Sequence, residues 1–219
     1  MVDAAEHQST TPVDVVVFAD FVCPYSFIAQ HEIDLLLEEY DVRLHWRPHW
    51  LHPEVPVEGM ESPADPERRR ATQAWLKEMS PEMTADMRFP EKRQFSFFAF
   101  EGLEIAQDLG MEVPYRRAIY DALWREGMDI GQVSTLEHAA VKAGMDPDAL
   151  ARGLSDRGYI DRTLQAIEAA REYGISTTPT MILGRTSILG WHYYEVIQTV
   201  LEQQGIFPKA TIGAAIQES

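Results

Sequence analysis

Two strand patterns flanking a helix pattern near the start of the chain constrain the fold most. Residues 13–18 form a nearly continuous apolar, β-branched run, as expected for a buried strand of a parallel sheet. From residue 24 the apolar side chains recur at helical spacing to about residue 40, and residues 42–46 alternate as a second strand. Strand, helix and strand within about 35 residues predict a βαβ unit with parallel strands.

A long helical block separates this unit from a second pair of strands. From residue 65 to residue 158 every strong pattern is helical: Asp65-Pro66 and Asp146-Pro147 are predicted to begin helices, and residues 134–137 to form a capping box. Residues 180–183 and 186–189 then predict an antiparallel hairpin, followed by a last helix over residues 194–201. The order βαβ, helical block, ββα predicts an α/β fold.

The charge balance excludes whole classes of partner. The 219-residue chain has 19 Lys and Arg against 35 Asp and Glu, a formal net charge of −16. Nucleic acids and anionic membranes need clustered positive charge, so we expect neither as a partner. No apolar run approaches the roughly 18 residues that span a bilayer. The start lacks the basic and apolar regions of a secretory signal, so we expect a cytoplasmic protein.

The cysteine count directs attention to one position. Cys23 is the only cysteine, which excludes an intrachain disulfide and a cysteine-rich zinc site. It lies where the first strand ends and the first helix begins, and a helix N-terminus stabilises a thiolate. Pro24 suits the first helical turn, and Ser26 is close enough to donate its hydroxyl to the sulfur. We therefore predict a nucleophilic Cys23, the alternative being a small buried apolar residue.

A second signal lies just before the predicted hairpin. Thr178-Pro179 directly precedes the strand that begins at residue 180. A trans proline is common at the start of a strand, and only about 1 in 20 X–Pro bonds is cis, so this dipeptide alone indicates little. Combined with Cys23 in a βαβ…ββα order, it indicates a particular fold much more strongly.

With these residues in place, the chain resembles the DsbA family, whose thioredoxin-like βαβ…ββα core carries an inserted helical subdomain. The resemblance lies in VVVFADFVCPYS at residues 15–26, WRPHWLHP at residues 46–53, and GISTTPTMIL at residues 174–183. It covers roughly residues 13–205. The chain is particularly similar to the FrnE-like branch and its relatives, 2-hydroxychromene-2-carboxylate isomerase and kappa-class glutathione transferase.

The resemblance implies roles for individual residues. Cys23 matches the attacking cysteine of the thiol-disulfide oxidoreductases. Thr178-Pro179 matches the cis-proline loop, whose preceding backbone pairs with bound peptide or glutathione. Pro24 and Tyr25 would shape the helix start and contact substrate. Ser26 departs from the family pattern, because the oxidoreductases carry a second, resolving cysteine at this position. No tightly bound cofactor is expected.

Without a resolving thiol, three functions stay open. In the first, Cys23 attacks a disulfide-containing protein or a small disulfide and holds a mixed disulfide until an external thiol, such as glutathione, releases it. In the second, the pocket binds glutathione as co-substrate for isomerisation or transfer, and Cys23 replaces the isomerase serine. In the third, a non-catalytic redox or peptide-binding protein has its Cys23 capped by glutathione. The kappa-class resemblance also implies a homodimer.

The predicted domain organisation is discontinuous. Residues 12–60 and 159–205 are expected to form the thioredoxin-like core, and residues 61–158 the helical insertion. Residues 1–11 and 206–219 are expected to be tails.

Three other groups of residues receive simpler interpretations. Metal binding is not expected at the histidines near the second strand, whose spacing does not match a ligand set: His45, His49 and His52. Three methionines around Pro81 are interpreted as a loosely packed edge or as a flexible apolar lid over Cys23: Met79, Met83 and Met87. A run of arginines is interpreted as a solvent-exposed helix face: Arg68, Arg69 and Arg70.

Overall fold

A computed structural model describes residues 12–62 and 65–209, and a four-stranded sheet lies at its centre. The strands in the described ranges are β1 (Val13–Ala19), β2 (Val42–Pro48), β3 (Met60–Glu61), β4 (Lys92–Arg93), β5 (Thr180–Leu183) and β6 (Thr186–Leu189). The central sheet has the order β2-β1-β5-β6, and β3 pairs with β4 separately. β1 runs parallel to β2 and antiparallel to β5, and β5 runs antiparallel to β6. These pairings confirm both the βαβ unit and the hairpin.

Helices lie along most of the remaining chain. In the described ranges they are α1 (Pro24–Ile28), α2 (Gln30–Glu39), α3 (Pro66–Met79), α4 (Pro81–Thr84), α5 (Phe97–Asp108), α6 (Glu112–Trp124), α7 (Val133–Ala143), α8 (Pro147–Ser155), α9 (Ile160–Glu172) and α10 (Tyr194–Glu202). The order confirms a thioredoxin-like α/β fold with helices inserted between its βαβ and ββα halves.

The first predicted helix is divided in two at Ala29. The Gln30 side-chain amide donates to the Ser26 carbonyl over 3.2 Å. In an unbroken α-helix the Gln30 backbone N–H would take that acceptor. The side-chain bond therefore accompanies a break between α1 and α2, and it fixes the last turn of the short helix that begins after Cys23.

Helix starts in the insertion test the capping predictions. The Asp65 carboxylate accepts from the Glu67 backbone N–H over 2.9 Å, and Asp146 accepts from Asp148 over 3.0 Å, as aspartate N-caps do. The predicted capping box at residues 134–137 is wrong. Gln132 is the N-cap of α7, so Ser134 already lies inside the first turn.

The inserted helices share one hydrophobic core with the thioredoxin-like part. Phe21, after β1, packs against Phe100 of α5 and Tyr120 of α6, with ring centroids 5.6 and 5.0 Å apart. Phe27 of α1 stacks on Trp124 at 5.9 Å. The insertion therefore supports the segment that carries Cys23 directly.

The domain boundaries at residues 60 and 159 stay a prediction. Of the predicted tails, residues 1–11 and 210–219 lie outside the described residues. In the ranges 12–62 and 65–209, no helix combines the length and apolar character needed to cross a membrane.

Candidate functional site

Cys23 lies at the N-terminus of α1 and against the loop before β5. Its backbone is extended, and Pro24 occupies the first helical position, as its missing N–H favours. The Cys23 thiol donates to the Thr178 carbonyl, with Sγ 3.4 Å from the oxygen. Only 5% of the Cys23 surface is exposed. The structure thus brings together two segments separated by 155 residues that the sequence singled out independently.

The Thr178-Pro179 peptide bond is cis, as the family resemblance implied. Hydrogen bonds hold the backbone on both sides of this peptide bond. The Gly190 N–H donates to the Pro179 carbonyl over 2.8 Å, and the Thr180 hydroxyl donates to the Thr177 carbonyl over the same distance. The loop is therefore held between the strand it begins and the end of the hairpin, and it presents the Thr178 carbonyl to the thiol.

Burial dominates the protonation of Cys23. It raises the pKa of the thiol, because a thiolate in this enclosed position loses its hydration. The nearby side-chain hydroxyls of Thr178 and Ser26 and the backbone N–H groups of Ser26 and Tyr25 act in the opposite direction and lower the pKa. In this closed site, burial therefore opposes the stabilisation that the helix N-terminus and the nearby hydrogen-bond donors give to a thiolate.

Ser26 and Tyr120 place two hydroxyls near the sulfur. Ser26 is completely buried, and its Oγ has no hydrogen-bond partner of good geometry among the described residues. A buried hydroxyl without a partner is costly, so it is available to donate when a thiolate forms. The pKa of Tyr120 is raised well above its usual value, first by burial and next by the charge of an ionised Cys23. The Tyr120 hydroxyl donates to the Asp20 carbonyl over 3.3 Å.

Asp20 organises the loop that leads to Cys23. Its two carboxylate oxygens accept from the Val22 N–H over 3.2 Å and from the Leu51 N–H over 2.9 Å. Its side chain is fully buried, and burial raises the pKa of the carboxyl to about 6, although these backbone donors lower it. Asp20 therefore connects the segment before Cys23 with the loop after β2.

Helix α6 holds the same loop from the insertion side. The Trp124 indole N–H donates to the Phe21 carbonyl over 2.8 Å, next to the bond from Tyr120 to Asp20. Earlier on α6, one turn before Tyr120, the buried Arg116 donates to the Gln30 side chain. The Arg116 guanidinium lies over the Trp46 ring, 4.6 Å from its centroid. The position of Cys23 thus depends on side chains from the inserted helices.

Helix α3 runs beside the entrance to Cys23. Its Trp75 packs between Tyr25 of α1, at 5.6 Å, and Trp191, at 5.9 Å between ring centroids. Trp191 in turn packs against Tyr193, with ring centroids 4.7 Å apart. Leu76 is the only buried residue of α3, so this helix is held largely by aromatic contacts. Trp75, although 40% exposed, therefore links α3 to Tyr25, two residues after Cys23.

Replacing Trp75 with alanine is expected to make Cys23 react severalfold faster with iodoacetamide. Loss of the indole removes the contact with Tyr25 and is expected to let water reach the thiol; because burial raises the pKa of Cys23, that pKa is expected to fall. The alkylation rate is measured against pH for both chains, and Val141→Ala, an exposed apolar position on α7, serves as control. An unchanged pH midpoint in Trp75→Ala would show that α3 does not shield the sulfur.

The family comparison agrees with this arrangement. The family model for the DSBA-like thioredoxin domain matches residues 14–202, nearly the whole described chain. The chain belongs to the DSBA-like thioredoxin domain family. This DSBA-like domain is also 26% identical over 195 residues to the uncharacterized protein YwbO of Bacillus subtilis (strain 168), covering 88% of this chain and 97% of that relative.

Solved structures show the same fold. A probable DsbA oxidoreductase from Streptomyces coelicolor superposes with a TM-score of 0.76 at 19% identity, covering 93% of this chain and 94% of that chain. A 2-hydroxychromene-2-carboxylate isomerase superposes with a TM-score of 0.67 at 20% identity, covering 88% and 94%. The resemblance inferred from the sequence is therefore confirmed at the level of family and fold.

Two of the histidines singled out in the sequence pair with carboxylates in this DSBA-like domain. His45 is within 2.8 Å of the Asp14 carboxylate, and His52 within 3.3 Å of Glu54. In the part of the chain that the structure describes, no three His, Cys, Asp or Glu side chains converge as metal ligands would.

Two of the three methionines belong to the hydrophobic core, and the third lies at the end of α3. Met87 is buried in the core, and Met83 packs against it. Met79, at the end of α3, accepts a hydrogen bond from the Tyr193 hydroxyl over 3.4 Å. Only Met79 thus lies next to the aromatic contacts that close α3.

Sequence reasoning missed Asp20, Tyr120 and Trp124 as supports of the site. Asp20 lies within the segment that carries the family resemblance, and a lone carboxylate between a buried strand and Cys23 was the available signal. No local signal marked Tyr120 or Trp124, since both lie on a helix about 100 residues away.

Proposed function

We propose that this DSBA-like domain is a thiol-disulfide oxidoreductase that works through Cys23 alone. One observation carries the proposal: the only thiol of the chain lies 3.4 Å from the Thr178 carbonyl, at the start of α1 and beside a cis-proline. A substrate chain or small thiol that pairs with this loop would bring its sulfur to Cys23.

The reaction balances as two thiol-disulfide exchanges at Cys23 and a third between the released disulfide and a second external thiol. The Cys23 thiolate attacks one sulfur of a disulfide, the Cys23–S bond forms, and the second sulfur leaves with the bonding electrons and takes up a proton. An external thiolate, with glutathione as one candidate, then attacks the mixed disulfide and releases Cys23. A second external thiol completes reduction of the substrate, so two thiols are oxidised for each disulfide reduced. A reducing compartment such as the cytoplasm would supply these thiols.

Ser26 would replace the resolving cysteine with a hydrogen-bond donor. Its buried Oγ without a partner supports this role, because a donor beside the sulfur stabilises the thiolate both as attacking group and as leaving group. Thr178 and Pro179 would hold the substrate backbone, and Pro24 and Tyr25 would form the wall beside it. The stable product of the first step would be a mixed disulfide.

Turnover of a small disulfide by the chain and its Cys23→Ala variant tests the proposal. The wild-type chain is expected to accelerate reduction of 2-hydroxyethyl disulfide by an external thiol, and Cys23→Ala is expected to show only the uncatalysed rate. Thiol consumption is followed with glutathione and with dithiothreitol as reductants. Equal acceleration by Cys23→Ala would overturn the proposed function.

A second candidate is glutathione-dependent isomerisation or transfer. It is favoured by one observation, the hydrogen bond that the Cys23 thiol donates to the Thr178 carbonyl, because a thiol that donates here could donate to a bound thiolate as a serine hydroxyl would. Conjugation of glutathione to 1-chloro-2,4-dinitrobenzene without turnover of any disulfide would support this candidate instead. Binding of glutathione with neither activity would support a redox-sensing role.

A further inference from the structure

A cavity of about 240 Å³ lies beside the Cys23 segment, lined by both chain neighbours of Cys23 but not by Cys23 itself. Val22 and Pro24, the two neighbours of Cys23 in the chain, form one wall. Phe89 and Trp124 form an apolar floor. The opposite wall comes from α3 and from β4, so the cavity lies between the insertion and the start of α1.

The charge of this cavity is opposite to that of the whole chain. The chain carries a formal net charge of −16. The lining of the cavity nevertheless includes no acidic side chain among the described residues. It includes four cationic side chains: Arg68, Arg69, Lys92 and Arg93. Arg68 and Arg70 are solvent-exposed, as the interpretation of a solvent-exposed helix face has it, whereas Arg69 is half-buried; Arg68 and Arg69 line the cavity and Arg70 does not.

The ion pairs of these side chains leave most of their charge uncompensated. Arg93 pairs with Glu54 over 3.3 Å, and Glu54 also contacts His52. Arg69 donates to the Pro90 carbonyl over 2.9 Å, which fixes its guanidinium without neutralising it. Arg68 and Lys92 form no salt bridge with any acidic group in the described ranges. Like charges gathered around an apolar floor repel one another, and an anion would relieve this repulsion.

We propose that this cavity binds the carboxylate of small anionic disulfides whose sulfur Cys23 attacks. The inference rests on the proposed function and names its substrate class. Guanidinium and ammonium groups bind carboxylates through charge-assisted hydrogen bonds, and an apolar floor accepts the short carbon chain between carboxylate and sulfur. The 5% exposure of Cys23 favours a small molecule over a folded protein as substrate.

Three disulfides of similar length and different charge test the inference. They are 3,3′-dithiodipropionate, a dianion, 2-hydroxyethyl disulfide, which is neutral, and cystamine, a dication. Rates of mixed-disulfide formation at Cys23 are divided by the rates with N-acetylcysteine amide, a thiol without a carboxylate, which removes intrinsic reactivity. The dianion is expected to react about tenfold faster than the neutral compound, and the dication slowest, because charge-assisted contacts favour the dianion.

A double variant and a matched control assign the preference to the cavity. Arg68→Gln with Lys92→Gln is expected to remove the preference for the dianion, while Arg70→Gln, on the same helix but outside the cavity, is expected to keep it. Circular dichroism establishes that each variant is folded. The same normalised rate for all three disulfides in the wild-type chain, or a preference that survives in the double variant, would overturn the inference and leave the proposed function intact.

A binding measurement separates this inference from the proposed function. The Cys23→Ser chain cannot exchange, and calorimetric titration with 3,3′-dithiodipropionate is expected to show binding that weakens about tenfold or more in the added double variant. If no disulfide reacts with the wild-type chain but the dianion binds, the proposed function fails and the cavity assignment stands. If the dianion does not bind the Cys23→Ser chain, the cavity assignment fails.

Discussion

Replacing Ser26 with cysteine is expected to shorten the lifetime of a mixed disulfide at Cys23 by about a thousandfold or more. The introduced thiol attacks the Cys23 sulfur from within the chain, and oriented intramolecular reactions have effective concentrations far above the millimolar level of external thiols. The attack forms an intrachain disulfide and releases the small thiol. Mass spectrometry of the chain after mixing with 2-hydroxyethyl disulfide, without added thiol, follows the adduct.

The Ser26→Ala variant is the matched control for this change. It removes the hydroxyl without adding a thiol, so its adduct is expected to persist as in the wild-type chain. The two variants together distinguish two roles of position 26: resolving the mixed disulfide and stabilising the Cys23 thiolate. An adduct of equal lifetime in Ser26→Cys and Ser26→Ala would contradict the assignment of position 26 as the place from which a mixed disulfide can be resolved.

Replacing Asp20 with asparagine is expected to change how stability depends on pH. Burial raises the pKa of this carboxyl to about 6 in the folded chain. Its unfolded value is about 3.9. The folded chain therefore holds the proton more tightly, and the stabilisation present at low pH is lost as pH rises through about 6. Between about pH 4.5 and about pH 7 the wild-type chain should lose about 2 kcal/mol relative to Asp20→Asn.

Urea denaturation of both chains at the two pH values measures this difference. Every other titrating group contributes equally to wild type and variant, so it cancels in the comparison. Asp14→Asn is a suitable second control, because that exposed carboxyl has a pKa lowered by its hydrogen bond with His45, titrates below this pH window and should give little difference between the two pH values. Parallel pH dependences in wild type and Asp20→Asn would show that Asp20 titrates normally.

Local chemistry is what made the fold predictable. The hairpin was predicted with the bounds that the structure has, since β-branched strands flank a turn at Gly184, where φ is +57°. The helix starts at Asp65 and Asp146 were also predicted, because an aspartate followed by proline is a signal confined to one turn.

Competing local signals and distant contacts explain why the capping box and the pKa of Cys23 were not predicted correctly. The capping box at residues 134–137 failed because a turn held by Asp129, which accepts from the Gly131 N–H over 2.9 Å, starts α7 earlier. The position of Cys23 was predictable, but its raised pKa was not. That shift comes from burial by parts of the chain far away in sequence, and no pattern around residue 23 reports it.

The basic cavity was hidden from the sequence for the same reason. Arg68 and Arg69 lie on α3, and Lys92 and Arg93 lie on β4, so the four charges meet only when the insertion folds against the start of α1. As a run in a helix, the arginines are typical of an exposed face. The charge pattern becomes informative when the cavity is seen next to Val22 and Pro24.

Mass spectrometry of the wild-type chain with a small disulfide tests the central claim most directly. In the absence of external thiol, the account predicts a single adduct per chain that is linked through Cys23, is released by added thiol, and is absent from Cys23→Ala. With Cys23 as the only thiol, no other site can form it. A folded wild-type chain that forms no adduct, or one whose adduct no thiol releases, would contradict exchange through Cys23.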